Sequence, residues 1–372
     1  MAVPRAIYVH LPFCLKKCAY CDFLSFPATT ETRKRYVDRL LQELSIKAAG
    51  WRPRTLYVGG GTPTSIGPEL MGQLLEGFRR ILDLSGLREF TVEANPATVD
   101  DAMVQVLMAS PVDRISLGAQ SFQAETLAVL GRLHGPADVV HAAGLFKSRG
   151  LENLSLDLIY GVPGQTVEMA LADVSCALQV EPRHLSAYCL SVHEGTPLER
   201  ELTAGRLTLV SDEAQKTMYG AISRTLARAN FRHYEISNFA LPGFHSKHNL
   251  VYWRNEPYLG IGLGAVSYDG RTRSTNTRKM EDYLDGRFDP EQAETLSDRR
   301  RAQETLIMAL RLLRGISQQD FLRRTGFELS TFMNAEVLRF VESGHLLFSE
   351  GRLRLARKSL FVADEILQAF LD

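Results

Sequence analysis

The sequence predicts an α/β protein: six βα units around a parallel sheet that is either open or a partial barrel, followed by an irregular extension and a small C-terminal α+β module. Three observations carry this expectation. From residue 5 to about 190, short β-rich runs alternate with amphipathic helical stretches, the pattern of consecutive parallel βα units. Residues from about 191 to 290 break that rhythm with Gly, Pro, Tyr and polar residues. After Leu296 the chain turns helical again and ends in Leu346-Leu-Phe-Ser-Glu-Gly-Arg-Leu-Arg-Leu355, a hairpin with its turn around Ser349 to Gly351. Helices followed by such a hairpin read as a winged-helix-like module. The expected divisions are 1–195, 196–296 and 297–372.

The expected strands are Ala6 to Leu11, Thr55 to Val58, Glu89 to Glu93, Arg114 to Leu117, Leu154 to Ile159 and His184 to Cys189. Between them lie helical patterns at Thr32 to Ala48, Pro68 to Leu82, Asp101 to Met108, Ala137 to Arg149 and Gln165 to Leu178, with Gly or Pro at most changeovers. A further helix is expected near Asp212 to Ala229. Six units are too few for an eight-stranded barrel. A partial barrel would leave one side open to a large substrate.

Composition excludes some functions. Lys plus Arg and Asp plus Glu are 43 each in 372 residues, so no polyanionic partner is announced. From Ser297 onward 12 Lys or Arg stand against 10 Asp or Glu, too balanced for nonspecific phosphate binding. The C-terminal module is therefore expected to pack or dock a protein rather than bind nucleic acid. No apolar run approaches the roughly 20 residues needed to span a bilayer, and no signal-peptide pattern opens the chain. The expected location is the cytoplasm.

The chemistry gathers where parallel strands end. After the first expected strand come Cys14, Cys18 and Cys21, three of the five cysteines. Three soft ligands on one short loop suit an iron-sulfur cluster with an open iron, or zinc. Cys176 and Cys189 lie in apolar runs and read as free thiols. After the second strand, Gly59-Gly-Gly-Thr-Pro-Thr64 strips away Cβ atoms where a ligand could approach the backbone, or simply makes a tight turn. Glu93 ends the third strand, Gln120 follows the fourth and Asp157 lies within the fifth, and Arg132 offers a carboxylate partner. Each alone reads more readily as a helix cap or surface residue; together they outline the rim of one site.

The spacing Cys14-x3-Cys18-x2-Cys21, with Tyr20 before the last cysteine and Gly59-Gly-Gly-Thr-Pro63 after the second strand, resembles the radical S-adenosylmethionine (SAM) superfamily. That resemblance implies a partial (β/α)6 barrel, a [4Fe-4S] cluster on the three cysteines, and SAM chelated to the open iron and cleaved to a 5′-deoxyadenosyl radical. The phrases Tyr8-Val-His-Leu-Pro-Phe-Cys14, Asp157-Leu-Ile-Tyr-Gly161 and Gly262-Leu-Gly-Ala265 are similar to the branch holding oxygen-independent coproporphyrinogen III oxidase and the HemW heme chaperones. In that branch Tyr8, Gly60 and Glu93 match positions touching cluster-bound SAM. Tyr20, Gly61, Thr62, Gln120, Arg132 and Asp157 match a second SAM or the rest of that pocket.

Within the branch, Phe23 stands where the oxidase pattern has a fourth cysteine, and few residues precede the first strand. His248-Asn249-Leu-Val-Tyr252-Trp253 resembles the His-Asn-x-x-Tyr-Trp signature of the HemW family, which implies heme handling. Imidazole suits heme iron, and Tyr252 and Trp253 offer surfaces for the macrocycle. The competing reading is that His248 bonds a neighbouring loop while Tyr252 and Trp253 fill core. His245 and His233 are weaker heme candidates. The resemblance thus implies a heme chaperone delivering to acceptor hemoproteins, membrane-associated respiratory proteins among them, with self-association as a homodimer an option. The alternative is an oxidase decarboxylating coproporphyrinogen III.

Overall fold

The structure is a computed structural model that describes residues 5–371. Six parallel strands follow in sequence order: β1 (Ala6–Leu11), β2 (Thr55–Gly60), β3 (Glu89–Ala94), β4 (Arg114–Gln120), β5 (Asn153–Tyr160) and β6 (His184–Cys189). The helices α1 (Thr30–Ala48), α2 (Pro68–Ile81), α3 (Asp101–Met108), α4 (Ala124–Val129), α5 (Pro136–Ser148) and α6 (Val167–Gln179) connect them. The sheet does not close, so the architecture is the expected partial barrel, flanked by additional strands.

The strands alternate strictly. Leu56, Val58, Phe90, Val92, Ile115, Leu117, Leu154, Leu156 and Leu185 are buried, each such side chain contributing about 1.5–3 kcal/mol on leaving water. Their neighbours Tyr57, Thr91, Glu93, Arg114, Ser116, Ser155, Asp157, His184 and Ser186 share the opposite face, in register from strand to strand. A parallel sheet covered by helices usually has apolar residues on both faces; here the inner face is polar.

Helix starts differ slightly from expectation, for a local reason. Thr29 caps α1 by accepting from the Thr32 amide, and Thr166 caps α6 by accepting from Met169, so α1 begins earlier than the periodicity implies and α6 later. Gln165 is thereby left in the loop, where its side-chain oxygen accepts the Gly161 amide at 2.8 Å. The short α4 follows Gln120 and was not anticipated.

The extension is knitted into the barrel. After α7 (Pro197–Thr203) and α8 (Asp212–Arg228), β7 (Arg232–His233) and β8 (Asn238–Ala240) add antiparallel to the β6 edge. After α9 (Lys247–Trp253), β9 (Leu259–Ile261) adds parallel to β1. The fully buried Glu43 carboxylate of α1 joins this segment to the barrel: it accepts from Gly262 N at 2.8 Å, Asn276 Nδ2 at 2.7 Å and the Tyr283 hydroxyl at 2.7 Å. A second sheet of β10 (Val266–Tyr268), β11 (Thr272–Asn276) and β12 (Pro290–Thr295) follows, with α10 (Met280–Leu284) between its last two strands.

The C-terminal module runs α11 (Asp298–Leu310), β13 (Ile316–Ser317), α12 (Gln318–Thr325), α13 (Ala335–Glu342), β14 (Leu346–Ser349), β15 (Arg352–Leu355) and α14 (Ala363–Gln368), with sheet order β13-β15-β14. This is the expected winged-helix-like arrangement; the wing turns at Glu350 and Gly351, both with positive φ. Among the described residues no helix is long and apolar enough to cross a membrane.

Candidate functional site

The loops after the C-terminal ends of the barrel strands surround a cavity of about 430 Å3. Cys14, Cys18 and Cys21 line it, all as free thiols, Cys14 buried and the other two half-buried. Their loop is held by backbone bonds: Cys14 N to Phe26 O at 3.2 Å, Ala19 N to Leu130 O at 3.0 Å and Leu198 N to Ala19 O at 2.9 Å. A small apolar cluster of Leu130, Ile159, Val162, Leu190 and Leu198 supports it from below.

The glycine loop lies directly against the cysteine loop. Gly61 N donates to Leu11 O at 2.9 Å and Thr62 N to Phe13 O at 2.7 Å. A Cβ on Gly61 would sit 2.7 Å from Phe13 O and 3.0 Å from Cys14 Sγ; one on Gly60, whose φ is +117°, would meet the His10 ring at 2.7 Å. Glycine is therefore required at both positions by close approach, and at Gly60 also by backbone conformation.

Below the thiols the wall is polar. Glu93 accepts from the Tyr57 hydroxyl at 2.6 Å and from Gly60 N at 3.2 Å, and desolvation in the barrel pushes its carboxyl up to about 7. Asp157 accepts from Ser186 Oγ at 2.7 Å and Ser116 Oγ at 3.1 Å, and is likewise raised by burial. Arg132 Nη2 donates to Gly118 O at 2.8 Å while its Nη1 donates to Cys18 Sγ at 3.4 Å. Gln120 sits at an irregularity in the β4–β5 register with φ +64°, a strained setting common at binding sites.

Gln120 Oε1 and the Nε atoms of Arg132 and Arg114 are buried without a partner among the described residues. Buried polar atoms are normally bonded, so these residues fit a polar ligand. Three free thiols lining one cavity fit the soft donor set of an iron-sulfur cluster.

Of the residues expected in the site, Tyr20, Gly60, Gly61, Thr62, Glu93, Gln120, Arg132 and Asp157 all line the cavity. Tyr8 does not; its hydroxyl bonds His10 Nδ1 at 3.1 Å and its ring lies 6.0 Å from that of Tyr57. The expected heme motif is placed elsewhere. His248 is 1 % exposed, with Nδ1 bonded to Thr55 Oγ1 at 2.9 Å and Nε2 to the Tyr252 hydroxyl at 3.0 Å. Both ring nitrogens are bonded within the protein, the arrangement that the packing alternative expects. Trp253 lies under the Arg311 guanidinium, 4.9 Å from Cζ to the ring. His245 stacks on Tyr234 and His233 on Phe239. Asn249 alone of the motif reaches the cavity.

Sequence reasoning missed Tyr57, Arg114, Ser116, Ser186 and His193, which also line the cavity. For the first four the signal was present: polar residues alternate with apolar ones along every strand from β2 to β6, which marks one face as wet. His193 follows β6 in a loop without periodicity and carried no such mark.

A parallel partial barrel whose first loop presents three cysteines beside a glycine loop is the arrangement of a radical SAM protein. The family model described as the Radical SAM superfamily matches residues 8–175, and that of the HemN C-terminal domain matches residues 296–362. The chain belongs to the HemW heme chaperone family. It is 34% identical to heme chaperone HemW of Lactococcus lactis, over 99% of this chain and 97% of that one. It is 33% identical to HemW of Bacillus subtilis, covering 99% of each chain, and 34% identical to HemW of Escherichia coli, covering 99% and 98%. The solved structure of coproporphyrinogen III oxidase (HemN) from Escherichia coli superposes with a TM-score of 0.83 at 20% identity, covering 99% of this chain and 90% of that one, a likeness of fold. Membership of the radical SAM superfamily implies SAM and a [4Fe-4S] cluster.

Proposed function

We propose that this chain is a cytoplasmic heme chaperone that carries a [4Fe-4S] cluster on Cys14, Cys18 and Cys21, binds SAM, and hands heme to acceptor hemoproteins. The observation that carries the reading is identity of about a third, over essentially the whole chain, to proteins named heme chaperone HemW. Phe23, in the position of the oxidase's fourth cysteine, supports it against the oxidase. A [4Fe-4S] cluster held by Cys14, Cys18 and Cys21 would, when bound and reduced, supply an electron to SAM.

The chain's own residues would divide the work. Arg132 would steady the Cys18 thiolate and the polar end of SAM. The backbone of Gly60 and Gly61 would let the ligand approach, and Gln120 and Asp157 would take hydroxyl or amino groups. Glu93, whose carboxyl rises to about 7, can accept or hold a proton at neutral pH.

The test is an anaerobic incubation of the cluster-reconstituted protein with coproporphyrinogen III, SAM and dithionite, alongside mixing of heme-loaded protein with an apo-hemoprotein. The expected outcome is no protoporphyrinogen and measurable heme transfer. Protoporphyrinogen with stoichiometric 5′-deoxyadenosine would make the chain an oxidase and end the chaperone-only reading.

A further inference from the structure

With both His248 ring nitrogens bonded, another place for heme would lie among the exposed apolar residues. Four large apolar side chains left in water gather at one spot: Leu15, Phe23 and Leu133 line the barrel cavity, and Val192 stands between its lining residues Ser191 and His193. Single exposed apolar residues are ordinary, but a set of them around one cavity marks a binding surface.

His193 belongs to this mouth. Thr196 fixes its loop by donating its hydroxyl to His193 O at 2.7 Å. The ring's Nδ1 faces Asp22 Oδ2 at 3.3 Å, both side chains nearly half exposed, and Nε2 makes no hydrogen bond to the described residues. As a surface pair this contributes little stability. As chemistry it is the pairing that readies an imidazole for metal, with one nitrogen oriented by a carboxylate and the other open. Lys16 lines the same mouth and has no acidic partner among the described residues.

Size fixes the depth. About 430 Å3 lies near the lower end of single-ligand pockets, roughly 300–1,000 Å3. With cluster-bound SAM inside, a macrocycle would sit across the opening. We infer that heme docks flat over the mouth of the barrel cavity, its iron taken by His193 Nε2, the imidazole positioned by Asp22, and a propionate facing Lys16. The apolar set supplies the greasy surface that an exposed ring edge needs. This site rests on the heme-carrier reading above.

Heme is titrated into the cluster-reconstituted full chain and into His193→Ala, following the Soret band and the low-spin electron paramagnetic resonance signal, with iron, sulfide and SAM binding measured in each sample. The wild type should bind with an imidazole-ligated spectrum. His193→Ala should weaken binding at least tenfold or lose that signature, with cluster and SAM binding unchanged, and added imidazole should restore the signature in His193→Gly. Leu133→Ser, on a different loop of the same mouth, should weaken binding and leave the signature intact. Wild-type affinity and spectrum in His193→Ala would overturn the site while leaving the heme-carrier reading standing. A wild type that takes up no heme would overturn both.

Discussion

At the N-terminal ends of the barrel strands, His248 has both ring nitrogens bonded, and Glu89 accepts the Lys247 and His248 amides at 2.8 Å each. At the C-terminal ends, Gln120 Oε1 and Arg132 Nε are buried with no partner among the described residues, and three thiols stand free. The His248 ring is thus fully bonded while the Gln120 and Arg132 side chains are not, although Arg114 Nε, Asn153 Oδ1 and Trp253 Nε1 toward the other end are also buried without a partner among the described residues. Unmet hydrogen-bonding capacity costs about 1–3 kcal/mol per buried group, and a fold keeps it where a ligand completes it. The helix α9 carries the most recognisable motif of the extension, and of that motif only Asn249 lines the cavity.

The largest effect belongs to the open end. Cys14→Ala should abolish the cluster, read by iron and sulfide analysis, with the folded baseline intact and heme uptake preserved. Joint loss of cluster and heme in a folded variant would merge the two sites that we separate.

His248→Ala should do the reverse: destabilise by about 2–4 kcal/mol in denaturant unfolding, through the cavity and the stranded Thr55 and Tyr252 hydroxyls, while cluster and heme spectra persist. An unchanged stability with a lost heme spectrum would make His248 a ligand after all. Its pKa sharpens the point. Burial first, then the Arg114 charge, lowers it from 6.5 to about 3. The native ring therefore stays neutral while the unfolded ring takes a proton, so its contribution is full above pH 6.5. It falls by about 1.4 kcal/mol per unit as pH drops from 6.5 toward 3. His248→Gln should remove that part of the acid slope.

A smaller effect is expected from Gly61→Ala. The added Cβ must push on Phe13 O and Cys14 Sγ, so cluster occupancy should fall while stability changes by about 1–3 kcal/mol. If occupancy holds and only stability moves, the glycine loop serves packing alone. The smallest should be Trp253→Ala, which removes the stacking of Arg311 and costs about 0.5–2 kcal/mol. Limited proteolysis between the barrel and the C-terminal module should quicken without any change in cluster content.

The barrel and the winged module were legible because periodicity and loop chemistry survive in the primary sequence. The strands of alternating polarity, the cysteine spacing and the triple glycine each name a local structure. Three kinds of feature were not legible. The strands β7 to β9 are only two or three residues long, too short to show a period, and tertiary pairing alone makes them strands. For His248 the residue type alone favoured packing and the resemblance made it a heme candidate; the partners that bond it, Thr55 and Glu89, lie more than 150 positions away. Conversely, His193 looked like any loop residue because Asp22, its partner, is also far off in the chain.

Leu15, Phe23 and Leu133 line the same cavity as Glu93 and Asp157, which sets a timetable for the docking proposed above. A molecule lying across those apolar side chains would cover the carboxylates beneath it, so a guest at Glu93 and Asp157 would enter first and depart last.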